Sequence, residues 1–344
     1  MSDPLTHQPT ELATLLAGRI ADEQARLRLF ADYRERKAPH TVRRQRAALR
    51  LFGEYLAEAG LSPGNVAEAV EAWRGLTWGI IAGFRQWLLG QGYSIGSVNV
   101  RLSTVRTYAT LATQAGVIAP EQLLLIKSVR GYSRREAKHL DEQRAQAEQP
   151  CRRGHKAAAP LTLTQRQATT LRDNHPDTPQ GRRDRLLLCL LLDHGLRCGE
   201  VGGLQVTDLD LTAGELRFYR PKVDKVQTHT LSRATRLAVA AYFEQDALPL
   251  GPLLRRSLKS GRLAAAAVAM SERAITARVG VLGRAILGLA GLSAHDCRHT
   301  WATLATRSGT PLDRLQDAGG WASPAMPLRY IEAAKIANQG VRLE

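Results

Sequence analysis

Helical spacing of apolar residues runs through most of this 344-residue chain and constrains its fold more than any other feature. One such stretch places four apolar residues seven, three and four positions apart: Val42, Leu49, Phe52 and Leu56. That spacing puts all four on one face of a helix. The hydroxyl side chain of Thr41 precedes them, so the sequence predicts a helix that begins at Thr41.

Strand-like alternation is confined to residues 206–231. A turn at Ala213-Gly214 is followed by alternating Leu216 and Phe218, and the segment VQTHTL fits a third short strand. Aromatic residues make up only 5% of the chain, which also argues against a β-rich fold. We therefore expect a mainly α protein with one small antiparallel sheet, which makes its second domain α+β.

The chain length predicts two domains, since domains commonly hold about 100–200 residues. Residues 1–40 are predicted to be a polar lead-in with one helix, and residues 41–131 a small all-helical domain. Residues 132–160 are rich in charge and poor in large apolar side chains, so we expect a linker that is helical in its first half. Residues 161–344 form the expected second domain.

The charge balance indicates a polyanionic partner. Lys and Arg number 48 against 32 Asp and Glu, a net charge of +16, which favours nucleic acid. A solvated, arginine-rich surface is the alternative. Five arginines of the first domain fall mostly outside the apolar stripes and are the predicted contacts to DNA phosphates: Arg43, Arg44, Arg46, Arg101 and Arg106. For these five the alternative is an idle, solvated helix face.

Several function classes lack their sequence signatures. The four cysteines include no C-x-x-C pair, so neither a zinc site nor a disulfide framework is predicted. The chain has no G-x-x-x-x-G-K-[ST] loop and no carboxylate cluster with metal-ligand spacing, which disfavours nucleotide hydrolysis and two-metal nuclease chemistry. No apolar run has the length of a membrane span, and the acidic start of the chain is unlike a signal peptide. We expect a cytoplasmic protein with no metal and no membrane partner.

Cationic side chains mark two segments of the second domain. In GLRCGE, Arg197 follows an apolar helix and Glu200 is placed to orient it; the alternative is an exposed ion pair worth at most about 1 kcal/mol. In SAHDCRHTWATLA, His295 and Arg298 share a face at the start of a helix, where the helix dipole favours an anion. The alternative is a helix start whose side chains only cap their neighbours. His299 falls on a different face and is expected to pack.

The order GLRxxE, HxxRHTxAT, GGW and a tyrosine in PLRYIE resembles the tyrosine recombinase (phage integrase) family. In that family a position that is usually histidine lies nine residues before the nucleophilic tyrosine. Here Trp321 lies nine residues before Tyr330. The resemblance covers nearly the whole chain. It implies that residues 41–131 are a SAM-like core-binding domain, that residues 161–344 are the catalytic domain, and that the two domains clamp DNA.

The resemblance assigns catalytic roles to seven residues: Arg197, Glu200, Lys222, His295, Arg298, Trp321 and Tyr330. Lys225 is a competing choice for the lysine of the β-hairpin, although the Arg-x-Lys setting favours Lys222. Trp321 stands where most members have histidine; some members, Cre recombinase among them, also have tryptophan there. An indole N–H donates to a phosphate oxygen but cannot transfer a proton near neutral pH.

The implied function is site-specific recombination or integration of double-stranded DNA by a tetramer in the nucleoid. Tyr330 attacks the scissile phosphate to give a 3′-phosphotyrosyl intermediate, and rejoining then needs no ATP, metal or other cofactor. Nearby guanidinium charge is expected to lower the tyrosine pKa from about 10, His295 to accept the proton, and Lys222 to protonate the leaving oxygen. The alternatives are a topoisomerase-like nicking-closing enzyme and a catalytically silent DNA-binding regulator.

Overall fold

The computed structural model describes residues 11–62, 64–150, 160–265 and 267–334, and the chain forms two compact units, Met1–His155 and Lys156–Glu344. All the regular secondary structure in the described residues of the first unit is helical. Besides a short 3-10 helix at Val70–Trp73, it contains α1 (Glu11–Glu35), α2 (Pro39–Glu58), α3 (Trp78–Gly90), α4 (Ile95–Gln114), α5 (Pro120–Ser128) and α6 (Arg134–Gln146).

An aromatic cluster holds the first unit together. Phe52 of α2 lies 5.6 Å from Trp73 and 5.0 Å from Phe84 of α3, measured between ring centroids. Phe30 of α1 meets Tyr108 of α4 edge-on at 4.9 Å. Such edge-to-face pairs stabilise a core by about 0.5–1.5 kcal/mol beyond their buried area. The second half of α1 therefore belongs to this core.

The start of α2 differs from the sequence-based expectation. The helix begins at Pro39 with Ala38 as its N-cap, so the prediction that it begins at Thr41 is wrong. Proline favours the first turn of a helix because its φ is already helical and its missing N–H would have no partner there.

α6 confirms that the first half of residues 132–160 is helical. Ser133 and Glu136 form a capping box at its start. Near its end the buried Arg144 donates to the carbonyls of Leu89 and Tyr93 at 3.3 and 3.2 Å. These bonds tie α6 to the loop between α3 and α4. Residues 151–159, the second half of this segment, lie outside the described residues.

The second unit combines helices with one small sheet. The sheet has the order β1-β2-β3, with both pairings antiparallel. The elements of the second unit are α7 (Gln165–Asp173), α8 (Pro179–Leu192), α9 (Cys198–Gly203), β1 (Leu209–Asp210), β2 (Glu215–Arg220), β3 (Lys225–Thr230), α10 (Arg233–Gln245), α11 (Glu272–Leu287), α12 (Ala294–Arg307), α13 (Leu312–Gly319) and α14 (Ala325–Ala334), with a 3-10 turn at Val206–Asp208. This architecture confirms the mainly α prediction with a small antiparallel sheet.

The apolar helix α8 forms the centre of the second unit. Every residue from Leu186 to Leu192 is buried, and α8 packs against both α10 and α12. The packing brings the loop that follows α8 to the start of α12. A Cβ on Gly195 of that loop would lie 2.3 Å from the Trp301 ring of α12, so only glycine permits this approach. The predicted motifs around Arg197 and Arg298 therefore lie close together.

The buried His194 and the half-buried His229 predict an acid-sensitive fold. His194 lies 3.0 Å from the Thr235 hydroxyl, and the His194 and His229 ring centroids are 5.7 Å apart. Burial lowers the pKa of both to about 4. Unfolded histidine titrates near pH 6.5, so between pH 6.5 and 4 only the unfolded chain takes up these protons. We expect the free energy of unfolding to fall over this range by up to about 3 kcal/mol for each of the two histidines.

Calorimetric unfolding of the wild type and of His194→Gln at several pH values between 7 and 4 measures this effect. The glutamine variant should lose less stability on acidification than the wild type. Identical pH dependence in the two proteins would assign the acid sensitivity to other groups.

Candidate active site

Arg197 and Glu200 form a buried ion pair at the start of α9. Arg197 Nη1 donates to Glu200 Oε1 at 2.7 Å, and the backbone N–H of Arg197 donates to Oε2 at 2.8 Å. The Glu200 side chain is only 3% exposed. The alternative of an exposed surface pair is therefore wrong, because the carboxylate is desolvated and both of its oxygens accept hydrogen bonds. A catalytic role for the pair stays a prediction.

A second buried arginine shares the same carboxylate. Arg220, the last residue of β2, donates from Nη1 to the two Glu200 oxygens at 3.1 and 3.0 Å. Burial alone would raise the pKa of Glu200, but the charges of Arg220 and Arg197 outweigh it and lower the pKa. Glu200 is thus an ionised bridge between two guanidinium groups.

Arg220 was not predicted from the sequence as part of the candidate site. Leu216, Phe218 and Arg220 alternate on the buried face of β2, so the strand pattern already placed position 220 inward. An arginine at an inward strand position, two residues before the predicted Lys222, is the signal that was available.

Arg298 completes a group that we call the arginine triad, namely Arg197, Arg220 and Arg298. Arg298 is 4% exposed and donates to the carbonyl oxygens of Gly195 and Gly319. Burial, reinforced by the charges of Arg197 and Arg220, lowers its pKa to about 9. Desolvation and the neighbouring guanidinium charges both disfavour this cation, and a bound anion would favour it.

The turn at residues 318–320 collects donors from the whole arginine triad. Its three consecutive carbonyls accept bonds from Arg220 (Ala318 O, 2.7 Å), Arg298 (Gly319 O) and Arg197 (Gly320 O, 2.9 Å). The turn requires glycine: a Cβ on Gly319 would lie 2.0 Å from the Trp321 ring, and Gly320 has a φ of +57°. The GGW motif thus places Trp321 next to the triad.

Trp321 and Tyr330 lie against each other beside Arg298. The Arg298 guanidinium carbon is 4.6 Å from the Trp321 ring centroid, and the Trp321 and Tyr330 centroids are 5.8 Å apart. Tyr330 is 6% exposed. Burial raises the pKa of Tyr330, and Arg298 only partly opposes this. The expectation of a lowered tyrosine pKa is therefore wrong for the protein without DNA, because desolvation outweighs the neighbouring charge.

The imidazole ring of His299 also contacts the ring of Tyr330. Their centroids are 5.0 Å apart, and His295 and His299 are also 5.0 Å apart. His299 packs, as expected, and its partner is Tyr330 because α14 packs across this side of α12. Burial, with a smaller contribution from His295, lowers the pKa of His299. A neutral imidazole therefore lies beside the tyrosine near pH 7.

The hairpin between β2 and β3 separates the two lysine candidates. Arg220 pairs with Lys225 in the sheet register, so residues 221–224 form the tip and Lys222 is exposed there. Lys225 Nζ lies 3.0 Å from Asp317 Oδ1. No ion pair of Lys222 is found among the described residues. This arrangement favours Lys222 as the lysine available to a ligand.

The five candidate arginines of the first unit differ in their surroundings. Arg43 and Arg44 are exposed on α2, whereas Arg46, also exposed, lies 3.5 Å from Glu68. Arg101 lies 4.3 Å from the Tyr93 ring centroid, and Arg106 is half-buried. DNA contact by these side chains stays a prediction, and it is best supported for Arg43 and Arg44.

The described part of the chain contains neither a candidate metal-binding group nor a candidate membrane-spanning helix. No group of three or more His, Cys, Asp or Glu side chains there is arranged to hold a metal ion. No helix there is long and apolar enough to cross a membrane.

Comparison with known proteins identifies the family. The model of the phage integrase family matches residues 162–336, which is slightly more than half of the chain and includes the seven positions predicted to be catalytic. The chain belongs to the phage integrase family. This integrase-family chain is 28% identical over 315 residues to the tyrosine recombinase XerC of Rhodospirillum centenum, a match that covers 88% of this chain and 80% of that protein.

Solved structures agree on the fold. The Tn1549 transposon integrase in complex with transposon right end DNA matches 89% of this integrase-family chain and 94% of its own, with a TM-score of 0.63 and 14% identity. A lambda integrase dimer bound to a COC′ core site matches 99% of this chain and 84% of its own, with a TM-score of 0.59 and 15% identity. At these identities the likeness establishes the fold alone.

Proposed function

We propose that this integrase-family protein is a site-specific DNA recombinase that cuts and rejoins strands through Tyr330. One observation carries the proposal: Tyr330 lies beside a triad of guanidinium groups, two of them buried and one half-buried, of which Arg197 and Arg220 pair with the carboxylate of Glu200. A phosphodiester supplies the anion that such a cluster favours. The names of its relatives, among them a tyrosine recombinase, agree with this activity.

Arg197, Arg298 and Trp321 are proposed to bind the scissile phosphate. Attack on phosphorus adds charge to the non-bridging oxygens, and preorganised donors stabilise that charge most in the transition state. Arg197 and Arg298 offer forked donors, and the Trp321 indole offers one N–H. His295, four residues before His299 on α12, is proposed to complete the donor set.

The proposed reaction balances without an external energy source. The Tyr330 oxygen forms a bond to phosphorus and its proton passes to the His295–His299 pair, while the bond to the 5′-oxygen breaks and Lys222 protonates that oxygen. The phosphotyrosyl ester keeps the bond energy, so the reverse steps rejoin the strand. That no metal or cofactor takes part stays a prediction.

Two other functions use the same fold. A topoisomerase-like enzyme would form the same adduct but join each strand back to its original partner. A DNA-binding regulator would form no adduct. The complete set of seven candidate residues favours an active enzyme, and products joined from two DNA sites would identify a recombinase.

Covalent capture tests the proposal. Wild type and Tyr330→Phe are mixed with a random-sequence duplex pool and denatured, and the DNA that remains attached to protein is sequenced. Adducts enriched at one sequence and present only with Tyr330 support the proposal. Binding of the pool without adducts would favour the regulator.

The assembly and domain roles are also proposals. Residues 41–131 and 161–344 would clamp one duplex, and four copies would join two duplexes. Residues 331–344 would dock on a neighbouring copy; 335–344 of these lie outside the described residues. Because chromosomal or element DNA is the proposed substrate, we place the enzyme in the cytoplasm, on the nucleoid.

The two lysine candidates give a testable contrast. Lys222→Ala should slow cleavage of the captured DNA site about 10²–10⁴-fold, the usual contribution of a positioned acid. Cleavage should recover when sulfur replaces the 5′-bridging oxygen, because a thiol with a pKa near 8.5 leaves without a donated proton. Lys225→Ala should slow cleavage far less, since its exposed pair with Asp317 contributes about 1 kcal/mol at most. The opposite ranking would assign the role to Lys225.

A further inference from the structure

We propose that Arg220 is a positioning residue that fixes the phosphate-binding side of the site without touching DNA. It would act in two directions, on Arg197 through Glu200 and on Trp321 through the 318–320 turn. The inference rests on the proposed recombinase function, and it assigns a role to a residue outside the seven predicted catalytic positions.

Arg220 acts on Arg197 through the carboxylate of Glu200, which accepts hydrogen bonds from both arginines. Arg220 is fully buried, and both Glu200 oxygens accept from its Nη1 at 3.1 and 3.0 Å. The same two oxygens accept from the side chain and the backbone of Arg197. Glu200 therefore cannot turn away from Arg220 without releasing Arg197. The rotamer of Arg197 is set by a residue 23 positions later in the chain.

The second direction is the turn before Trp321. Arg220 Nη2 donates to Ala318 O at 2.7 Å, and Nη1 reaches Gly319 O at 3.3 Å. The aliphatic part of the side chain packs on Gly320, where a Cβ would lie 2.5 Å from Arg220 Cδ. Polar and packing contacts of one side chain thus hold the turn that presents Trp321 and receives the donors of Arg197 and Arg298.

The chemistry of this position argues against a purely structural role. Burial lowers the pKa of Arg220, and the nearby charge of Arg197 lowers it further. Well-packed apolar residues in place of a buried ion pair often leave a protein equally or more stable. An arginine that touches both Glu200 and the turn therefore indicates a requirement for placement rather than for stability alone.

The contacts also define which step Arg220 supports. Lys222 is only two residues away in sequence, but the bonds of Arg220 lead to Glu200 and to the 318–320 turn. We therefore expect Arg220 to affect stabilisation of the phosphate charge and not protonation of the leaving oxygen.

Three substitutions test the inference on the DNA site recovered by covalent capture. Arg220→Met removes the charge and the donors. Arg220→Lys keeps the charge but loses the planar fork that reaches Glu200 and the turn together. Arg217→Met is the matched control, because Arg217 lies on the exposed face of the same strand.

Single-turnover adduct formation is measured on three forms of this site: the ordinary phosphodiester, the 5′-sulfur form, and a methylphosphonate that lacks one negative charge. Misplacement of reacting groups by about 1 Å costs on the order of 100-fold in rate. We expect losses of about 100-fold for both Arg220 variants on the phosphodiester, no recovery with sulfur, and a clearly smaller loss on the methylphosphonate. Lys222→Ala should recover with sulfur, and Arg217→Met should match the wild type.

Each failure has a distinct meaning. Wild type without a Tyr330-dependent adduct overturns the proposed function and this inference with it. A normal wild type with Arg220 variants within about threefold of it overturns the inference alone. Equal losses on all three substrates, or failure of Arg220→Lys to fold, would make Arg220 merely structural. Recovery with sulfur would place its action on the leaving group, which also overturns the inference.

Discussion

Tyr330→Phe is expected to lose covalent DNA adducts completely while it folds and binds DNA like the wild type. The substitution removes one hydroxyl and keeps the ring, whose centroid lies 5.0 Å from His299 and 5.8 Å from Trp321. Burial raises the pKa of Tyr330, so the hydroxyl is neutral in the free protein and its removal takes away no charge. Only the nucleophile is lost, and no neighbouring group replaces a covalent nucleophile.

Tyr219→Phe is the matched control for this experiment. Tyr219 lies exposed on β2, and its hydroxyl donates to Asp224 at 2.6 Å. Adducts are measured after denaturation, binding by titration of the same labelled DNA, and folding by calorimetry. Tyr219→Phe should form adducts at the wild-type level. Adducts that persist in Tyr330→Phe would show that another residue attacks the phosphate.

The raised pKa of Tyr330 also bears on how the site is activated. A buried neutral tyrosine is a weak nucleophile. Bound DNA would bring the phosphate against Arg298, and the ring of neutral His299 lies 5.0 Å from the Tyr330 ring, between centroids. Tyr330 would thus become a good nucleophile only after the DNA substrate binds.

The sequence predicted those parts of the site that depend on short segments. Arg197 with Glu200, and His295 with Arg298, lie within single motifs whose spacing is set by one helix start. The nine-residue spacing of Trp321 and Tyr330 spans one turn and the beginning of α14. Local geometry fixes such groups, so the motifs were sufficient to find them.

The parts that were missed depend on contacts between distant segments. The hydrogen bonds of Arg220 lead to Glu200, 20 residues earlier, and to a turn 98 residues later. The contact of His299 with Tyr330 was not predicted, because the helical face was judged on α12 alone, whereas α14 covers it. Likewise, the pKa of Tyr330 depends on how deeply packing buries the ring. Periodicity identifies a buried face but not the element that covers it.

Arg298→Lys is expected to reduce the rate of adduct formation by about 10²–10³-fold, the range found when one preorganised donor to a developing charge is removed. Arg298 donates at once to Gly195 O and Gly319 O and lies over the Trp321 ring. An ammonium is a point charge on a flexible stem and cannot reproduce this fork. A buried carbonyl would be left without its donor, so calorimetric stability should also fall by about 1–3 kcal/mol.

Arg307→Lys, an exposed change in the last turn of the same helix, is the matched control and should leave adduct formation unchanged. If Arg298→Lys reacts like the wild type, a single positive charge suffices and the forked geometry has no catalytic role. If it reacts slowly on the phosphodiester but much less slowly on the methylphosphonate, the missing donors acted on the phosphate charge. That second pattern is the one we expect, because burial and the charges of Arg197 and Arg220 disfavour the Arg298 cation, and a bound anion would favour it.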